Sequence, residues 1–170
     1  MDNTKRIGRQ TVELKNRPKI ISATSVVGPK EGEGPLGSYF DITLKDDKNG
    51  KETYEKAESS ILYTSITESI KKGNLTEDDI DYLLCGDLQN QITSSNFAAR
   101  EIKIPFIGLY GACSTFSLSL GLGAMFIDGG FADYVVTGAS SHFSSAERQF
   151  RFPLEYGSQR AITSQWTVTG

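Results

Sequence analysis

The amino-acid sequence predicts an α/β protein built on a mixed, mostly parallel sheet. Short apolar and β-branched segments alternate with segments of helical length along the chain. Successive predicted strands are separated by helix-length crossovers, which parallel neighbours require. At 170 residues and 38% hydrophobic content, the chain has the size and composition of one globular unit with a sizeable core.

The first half of the chain predicts an arm, a strand, a shaped loop and a long helix. Residues 1–18 are polar and predict an N-terminal arm or edge segment. Lys19–Val27 is β-branched, follows a proline and predicts the first strand. Gly28–Gly37 contains four glycines and two prolines, which predicts a structural loop rather than a helix or a central strand. A phosphate-binding role is disfavoured because the segment lacks the GxxxxGK(S/T) motif of P-loops. After an Asn-Gly turn in Lys45–Lys51, apolar residues recur every four positions and predict a helix over Tyr54–Lys72.

The second half predicts three more strands and two more helices. The predicted strands are Ile80–Gly86, Pro105–Tyr110 and Ala132–Ser141, and a capped turn at Thr76 precedes the first of them. One predicted helix is Asn96–Glu101, with Ser94 or Ser95 as its cap. The other runs from the Gly111–Ser114 turn to about Ile127. The closing WTVTG begins like a further strand.

Composition narrows the classes of function. A net charge of −3 argues against nonspecific nucleic-acid binding, which needs a positive field. The N-terminus has no apolar signal region, and two cysteines without such a signal predict a reducing compartment and no disulfide. The uncharged run Ile104–Ile127 is interrupted by proline, glycine and serine, which favours a buried strand, loop and helix over a membrane span. A single histidine excludes a site that needs two from this chain, and we expect neither a metal nor a cofactor.

Cys113 is the side chain with the clearest potential for chemistry. It lies in the turn Gly111–Ser114, between an apolar strand and a helix, so the helix N-terminus would favour its thiolate. A small buried apolar residue is an equally good interpretation of a cysteine here. Cys85, inside a strand, is interpreted as structural.

The helix that follows Cys113 carries no charge in FSLSLGLGAMFI. Its small residues Ser117, Gly121 and Ala124 share one face and would let another element approach closely. A helix without a polar face is expected to be buried on all sides, which one sheet packed on one side cannot achieve. We therefore expect another copy of the chain, or polypeptide outside these 170 residues, to cover it.

Four long segments carry a resemblance to a known family. They are VVGPKEGEGPLG, GDLQNQITSSNFAAR, IPFIGLYGACSTFSLSLGLGAMFIDGGFADYVVTGASSHF and AERQFRFPLEYGSQR. The layout resembles the thiolase-like fold, and the segments look like the stage V sporulation protein AD family within it. The resemblance implies that residues 19–170 form the N-terminal thiolase-like half-domain, with a buried central helix after Cys113, and that the C-terminal half is absent.

The resemblance also implies a function in sporulation. Such proteins bind dipicolinic acid and take part in its uptake into the developing spore, and whether Ca²⁺ accompanies the ligand stays open. Cys113 falls on the family's nucleophile position, and Asp87, Gln91 and Ser114 fall in segments that line the equivalent pocket. The implied partners are the other proteins of the same transport system and further copies of this chain, with no nucleic acid. The implied location is the cytoplasm of the mother cell or forespore, or the surface of the spore inner membrane through partners.

The chain departs from catalytic thiolase-like enzymes in its acid and base residues. Those enzymes take His-His or His-Asn groups from the second half, and His142 does not stand at a catalytic position of the family. His142 fits the pocket mouth or a structural role, and Arg148 and Arg151 fit carboxylate binding or an interface equally well. A vestigial nucleophile position is therefore expected at Cys113, and a thiolase-like or ketoacyl-synthase-like acyltransferase that uses Cys113 is the alternative.

Overall fold

A computed structural model describes residues 4–146 of the chain. Its helices and strands, in chain order, are β1 (Arg6–Ile7), β2 (Thr11–Val12), β3 (Val26–Val27), α1 (Pro29–Gly32), β4 (Ile42–Thr43), α2 (Tyr54–Lys72), β5 (Tyr82–Gly86), α3 (Thr93–Arg100), β6 (Phe106–Gly108), α4 (Thr115–Gly129) and β7 (Val135–Ala139). Short 3₁₀ turns lie at Gly37–Tyr39, Glu77–Asp79, Asn90–Ile92 and Ala112–Ser114.

A three-stranded parallel sheet forms the centre, in the order β6, β5, β7. Leu84 of β5 lies opposite Ile107 on one side and Thr137 on the other. Leu83, Leu84 and Cys85 are fully buried, as expected for a strand covered on both faces. The predicted α/β class with parallel strands is confirmed, and the thiolase-like assignment stays a prediction.

Helices cover the two faces of this sheet. Successive strand residues point to opposite faces, and Gly138 of β7 lies beside Leu62 of α2 while Thr137 lies against Gly123 of α4. The predicted bounds of α2 are confirmed, and its apolar stripe Leu62, Ile66 and Ile70 enters the core. The described residues therefore form three layers, with α2 and α4 on opposite faces of the sheet at β7.

Helix α4 presents a narrow buried stripe to the sheet. Thr115, Ser119 and Gly123 form it, and an added Cβ at Gly123 would come within 2.6 Å of Thr137. Of the predicted small face, Ser117 and Gly121 are exposed within residues 4–146, whereas Ala124 is half-buried and lines a cavity shared with Ile20 and Val135.

The large apolar residues of α4 are partly in solvent. Phe116 is 56% and Met125 48% exposed, so the described residues do not bury this helix on all sides. Ala112–Gly129 is long and apolar enough to cross a membrane, as the core helices of globular proteins also are.

The first predicted strand is much shorter than expected. Only Val26–Val27 is a strand, paired in parallel with Ile42–Thr43, and Ile20 is 73% exposed. A side-chain hydrogen bond, from Ser22 Oγ to Ser69 O at 2.8 Å, ties this segment to α2 instead. A cavity of about 160 Å³ separates it from β7. β-branched residues form a strand only where a partner edge is in reach, which explains the error.

Two other local predictions are corrected. The Gly28–Gly37 loop contains a helical turn, Pro29–Gly32, because proline at the first position is already set for helical φ. Helix α3 begins at Thr93, so Ser94 and Ser95 lie inside it and neither caps it. Their hydroxyls bond to neighbouring side chains instead.

The N-terminal segment forms an exposed hairpin that reaches the far end of α4. Strands β1 and β2 pair antiparallel. Lys5 Nζ donates to the Asp128 backbone oxygen at 2.9 Å, and the Asn16 backbone N–H donates to Asp128 Oδ1 at 2.6 Å. Lys5 and Asn16 hold the pKa of the Asp128 carboxyl below its ordinary value. The segment thereby stabilises a carboxylate placed against the negative end of a helix dipole.

Candidate functional site

The candidate site lies where the three parallel strands end. The Leu109 N–H donates to the Cys85 oxygen at 2.9 Å, and the Ser140 N–H donates to the Gly86 oxygen at 3.2 Å. The segments that follow β6 and β7 therefore meet the end of β5 at one edge of the sheet. Open α/β sheets bind ligands at this carboxyl edge.

Cys113 lies exposed in the turn between β6 and α4. Its neighbour Ala112 has a φ of 48°, a left-handed conformation that costs free energy for a residue with a side chain. The Thr115 hydroxyl donates to the Ala112 oxygen at 2.8 Å and accepts from the Gly111 N–H at 3.1 Å, and the Ser114 hydroxyl donates to the Gly111 oxygen at 2.7 Å. These bonds hold the turn and present Cys113 and Ser114 to solvent at the start of α4.

Gln91 lies in a second strained turn at the same edge. Gln91 and Ile92 have φ values of 57° and 48°, and the Gln91 oxygen accepts from Asn96 Nδ2 at 2.8 Å. An added Cβ at Gly108 would lie 2.3 Å from Ile92 Cδ1, so this turn packs directly on the end of β6. Gln91 itself is exposed, and its neighbour Ile92 packs against β6, the strand that leads to Cys113.

Asp87 is buried and its carboxylate is engaged within the chain. It accepts from the Gln89 N–H at 2.8 Å, and from the Ser95 N–H and hydroxyl at 2.7 and 2.6 Å. These bonds join the end of β5 to the first turn of α3. Cys85 lies two residues before Asp87, inside β5. Burial raises the pKa of its thiol to about 12, which agrees with a structural thiol.

Glu58 is a buried carboxylate at this edge that the sequence analysis did not single out. It lies on α2, is 1% exposed, and accepts from Gln89 Nε2 at 2.8 Å, Ser140 Oγ at 3.0 Å and Ser145 Oγ at 2.6 Å. Burial raises the pKa of the Glu58 carboxyl, and the charge of Asp87 raises it further, against the lowering effect of the three hydrogen bonds. The sequence does indicate that Glu58 is buried, because it lies four residues before Leu62 and so continues the apolar stripe of α2.

His142 is buried and bonded on both ring nitrogens. Its Nδ1 accepts from the Ser144 N–H at 3.0 Å, which assigns the proton to Nε2 and makes Nε2 the donor to the Asp47 oxygen at 2.6 Å. The ring lies 5.3 Å from that of Tyr54. A cavity of about 220 Å³ beside it is also lined by Lys30. These contacts favour the structural role over the pocket mouth.

The structure brings the predicted site residues to one edge but not into one constellation. Within residues 4–146, no hydrogen bond joins Cys113 to Asp87, Gln91 or His142. Three candidates, Gln91, Cys113 and Ser114, face solvent. Arg148 and Arg151 lie outside the described residues.

The fold and this edge define a parallel α/β protein with a cysteine presented at a strand-to-helix turn. Comparison with known proteins narrows the class. The family described as Stage V sporulation protein AD matches residues 8–170, and the chain belongs to that family. Stage V sporulation protein AD of Bacillus subtilis (strain 168) is 44% identical over 163 residues, which cover 96% of this chain and 48% of the relative. The chain thus spans about half the length of that relative.

Proposed function

We propose that this chain belongs to a sporulation protein that binds dipicolinic acid at the carboxyl edge of the sheet and takes part in its uptake into the developing spore. The observation that carries the proposal is membership of the Stage V sporulation protein AD family. Other proteins of the same transport system, and further copies of this chain, are the proposed partners. Through them the protein would act at the spore inner membrane.

The chemistry of the ligand is compatible with this edge. Dipicolinate is a flat aromatic dianion, so its site needs an apolar slot for the ring and donors for two carboxylates. Gln91 and Ser114 supply neutral donors, and the N-terminus of the 15-residue helix α4 favours an anion. Tyr110 and Phe116, both exposed, flank the Cys113 turn and supply aromatic surface. Arg148 is the proposed cation.

Two of the predicted residues receive a supporting role in this proposal. The oxygens of Asp87 already accept from Gln89 and Ser95, so Asp87 shapes the edge rather than meeting a carboxylate of the ligand. The bonds of His142 to Ser144 and Asp47 likewise fix the loop after β7.

Calorimetry tests the proposal on the longest natural polypeptide that carries this sequence and on the 170-residue chain alone. We expect dipicolinate to bind the longer protein, phthalate to bind less well because it lacks the ring nitrogen, and the chain alone to bind weakly. Cys113→Ala and Gln91→Ala should each lower the affinity, whereas Ser59→Ala on α2 should not. Unchanged affinity in both site variants would place the ligand elsewhere.

The second candidate is an acyltransferase of the thiolase-like class that uses Cys113 as nucleophile. Exposure of Cys113 beside the strained Ala112 favours it. The engagement of both His142 nitrogens within the chain weighs against it, because condensation needs an acid and a base near the thiol. A mass increase on Cys113 after incubation with an acyl-coenzyme A, absent in Cys113→Ser, would favour this candidate.

A further inference from the structure

We infer that Glu58 is a positioning residue for the ligand site, because its carboxylate fixes the loop after β5 and the loop after β7 in one arrangement. The inference rests on the proposed function and assigns a role to a residue of α2 that lies beneath the site. The ligand class is the aromatic dicarboxylate of that proposal.

The geometry of the carboxylate supports this role. Oε2 accepts from Gln89 Nε2 at 2.8 Å and from Ser145 Oγ at 2.6 Å, and Oε1 accepts from Ser140 Oγ at 3.0 Å. Gln89 follows β5, whereas Ser140 and Ser145 follow β7. One side chain on a third element therefore connects the two segments beyond the point where the pairing of β5 with β7 ends.

The connection continues to an exposed candidate residue. The Gln89 backbone oxygen accepts from the Ile92 N–H at 3.0 Å, which closes the turn that carries Gln91. Gln89 Nε2 also donates to Ser94 Oγ at 2.8 Å, so the same amide reaches the first turn of α3. A change at Glu58 would thus be transmitted to Gln91 through Gln89.

The position is a costly place for a carboxylate. Glu58 continues the core stripe of Leu62 on α2, and no basic side chain within residues 4–146 forms an ion pair with it. Buried ionic groups are often replaced by apolar ones without loss of stability. The titratable group that acts on its carboxyl is Asp87, at the end of β5, and the other groups that act on it are the three hydrogen-bond donors Gln89, Ser140 and Ser145. A carboxylate that accepts three donors from two loops suits a role in fixing the site.

Glu58→Gln is the test, with Glu68→Gln at the far end of the same helix as the matched control. Dipicolinate affinity is measured by calorimetry on the longest natural polypeptide that carries this sequence, and stability by urea unfolding. We expect Glu58→Gln to weaken dipicolinate binding about five- to tenfold, the effect of one or two lost hydrogen bonds, in a chain that still unfolds in one cooperative urea transition. Retained affinity in a variant that is folded by this measure would overturn the inference.

A double-mutant cycle shows whether Glu58 acts through the Gln91 turn. In a Gln91→Ala background, Glu58→Gln should cost much less affinity than in the wild type, because the side chain that it positions is already missing. Equal losses in both backgrounds would overturn the inference.

Amide hydrogen exchange on the ligand-free protein separates the two ideas. We expect faster exchange in residues 89–92 and 140–145 of Glu58→Gln and unchanged exchange in Glu68→Gln. Unchanged exchange in both loops overturns the positioning role even if dipicolinate binds. Faster exchange without any dipicolinate binding supports the connection between the loops and refutes the proposed function.

Discussion

The buried carboxylate of Asp87 accepts both the backbone N–H and the hydroxyl of Ser95, at 2.7 and 2.6 Å. Ser95 of helix α3 thereby forms two hydrogen bonds with the residue that directly follows the central strand β5. The contact fixes where α3 begins relative to the carboxyl edge, because Ser95 lies in the first turn of that helix.

Removal of the Ser95 hydroxyl should therefore destabilise the fold. Ser95→Ala leaves a buried carboxylate with one donor fewer, and hydrogen bonds to charged groups contribute about 1.5–3 kcal/mol. We expect a loss of about 2 kcal/mol in the free energy of unfolding, measured by urea denaturation. Ser117→Ala, an exposed change on α4, is the control and should lie within about 0.5 kcal/mol of wild type. Equal stabilities of the two variants would contradict this role of Ser95.

Stability should depend on pH through Glu58. Burial raises the pKa of this carboxyl above its ordinary value of 4.5, so the folded state binds the proton more tightly than the unfolded state. As the pH falls from neutral through the raised pKa toward 4.5, the wild type should gain stability relative to Glu58→Gln, which cannot titrate. Urea unfolding of both proteins across this range measures the difference. Parallel curves would show that the Glu58 pKa is not raised.

Asp41 should titrate at unusually low pH. Its carboxylate accepts from Lys72 Nζ at 2.6 Å and from the Ser25 N–H at 2.9 Å, which lowers its pKa from 3.8 to about 2. Its stabilising contribution is complete above 3.8 and is lost as the pH falls through about 2. In Lys72→Met, carboxyl NMR should show the midpoint move toward 3.8. Asp79, whose pKa is lowered by Thr76, should not move and serves as the control.

Elements with local sequence signals were predictable. The bounds of Tyr54–Lys72 follow from a four-residue apolar stripe, and the turn at Thr76 follows from a cap that the structure shows as a reciprocal pair with Asp79. The order of strands and helices gave the parallel sheet, because crossover length limits strand direction. These features depend on residues close together in the chain.

Features that depend on tertiary contacts were not predictable from local signals. Residues 19–24 have strand-forming composition, yet they belong to no strand in the described part of the chain. Serine near the start of a helix predicts a cap, but the hydroxyls of Ser94 and Ser95 bond to the side chains of Gln89 and Asp87, which the folded segment after β5 brings into reach. Gln91 and Cys113 lie exposed at the carboxyl edge, and their role in a ligand site stays a prediction.

The two cysteines should differ sharply in reactivity. Cys113 is exposed, whereas Cys85 is fully buried and its pKa is raised to about 12. Iodoacetamide at neutral pH should alkylate Cys113 in the folded chain and leave Cys85 unmodified until the chain is unfolded in urea. Peptide mass spectrometry assigns the site. Alkylation of Cys85 at the rate of Cys113 in the folded chain would contradict the packing of β5.

Helix α4 should make the 170-residue chain associate in solution. Within residues 4–146 the sheet covers only a narrow stripe of this helix, and Phe116 and Met125 lie about half exposed on the remainder. Large apolar side chains left in solvent in this way are typical of interaction surfaces. Light scattering after gel filtration should give a mass well above the 18.6 kDa of one chain.

Charge at both of these exposed positions should prevent the association, because a buried, unpaired carboxylate is costly. The double variant Phe116→Glu/Met125→Glu should run as a monomer and should keep its fold, since neither side chain enters the core. Phe97→Glu is the matched control, because Phe97 is 50% exposed and lies on α3, away from α4. This variant should associate like the wild type. A wild-type chain that stays monomeric at high concentration, with the α4 face open to water, would refute the expectation that a second copy covers this helix.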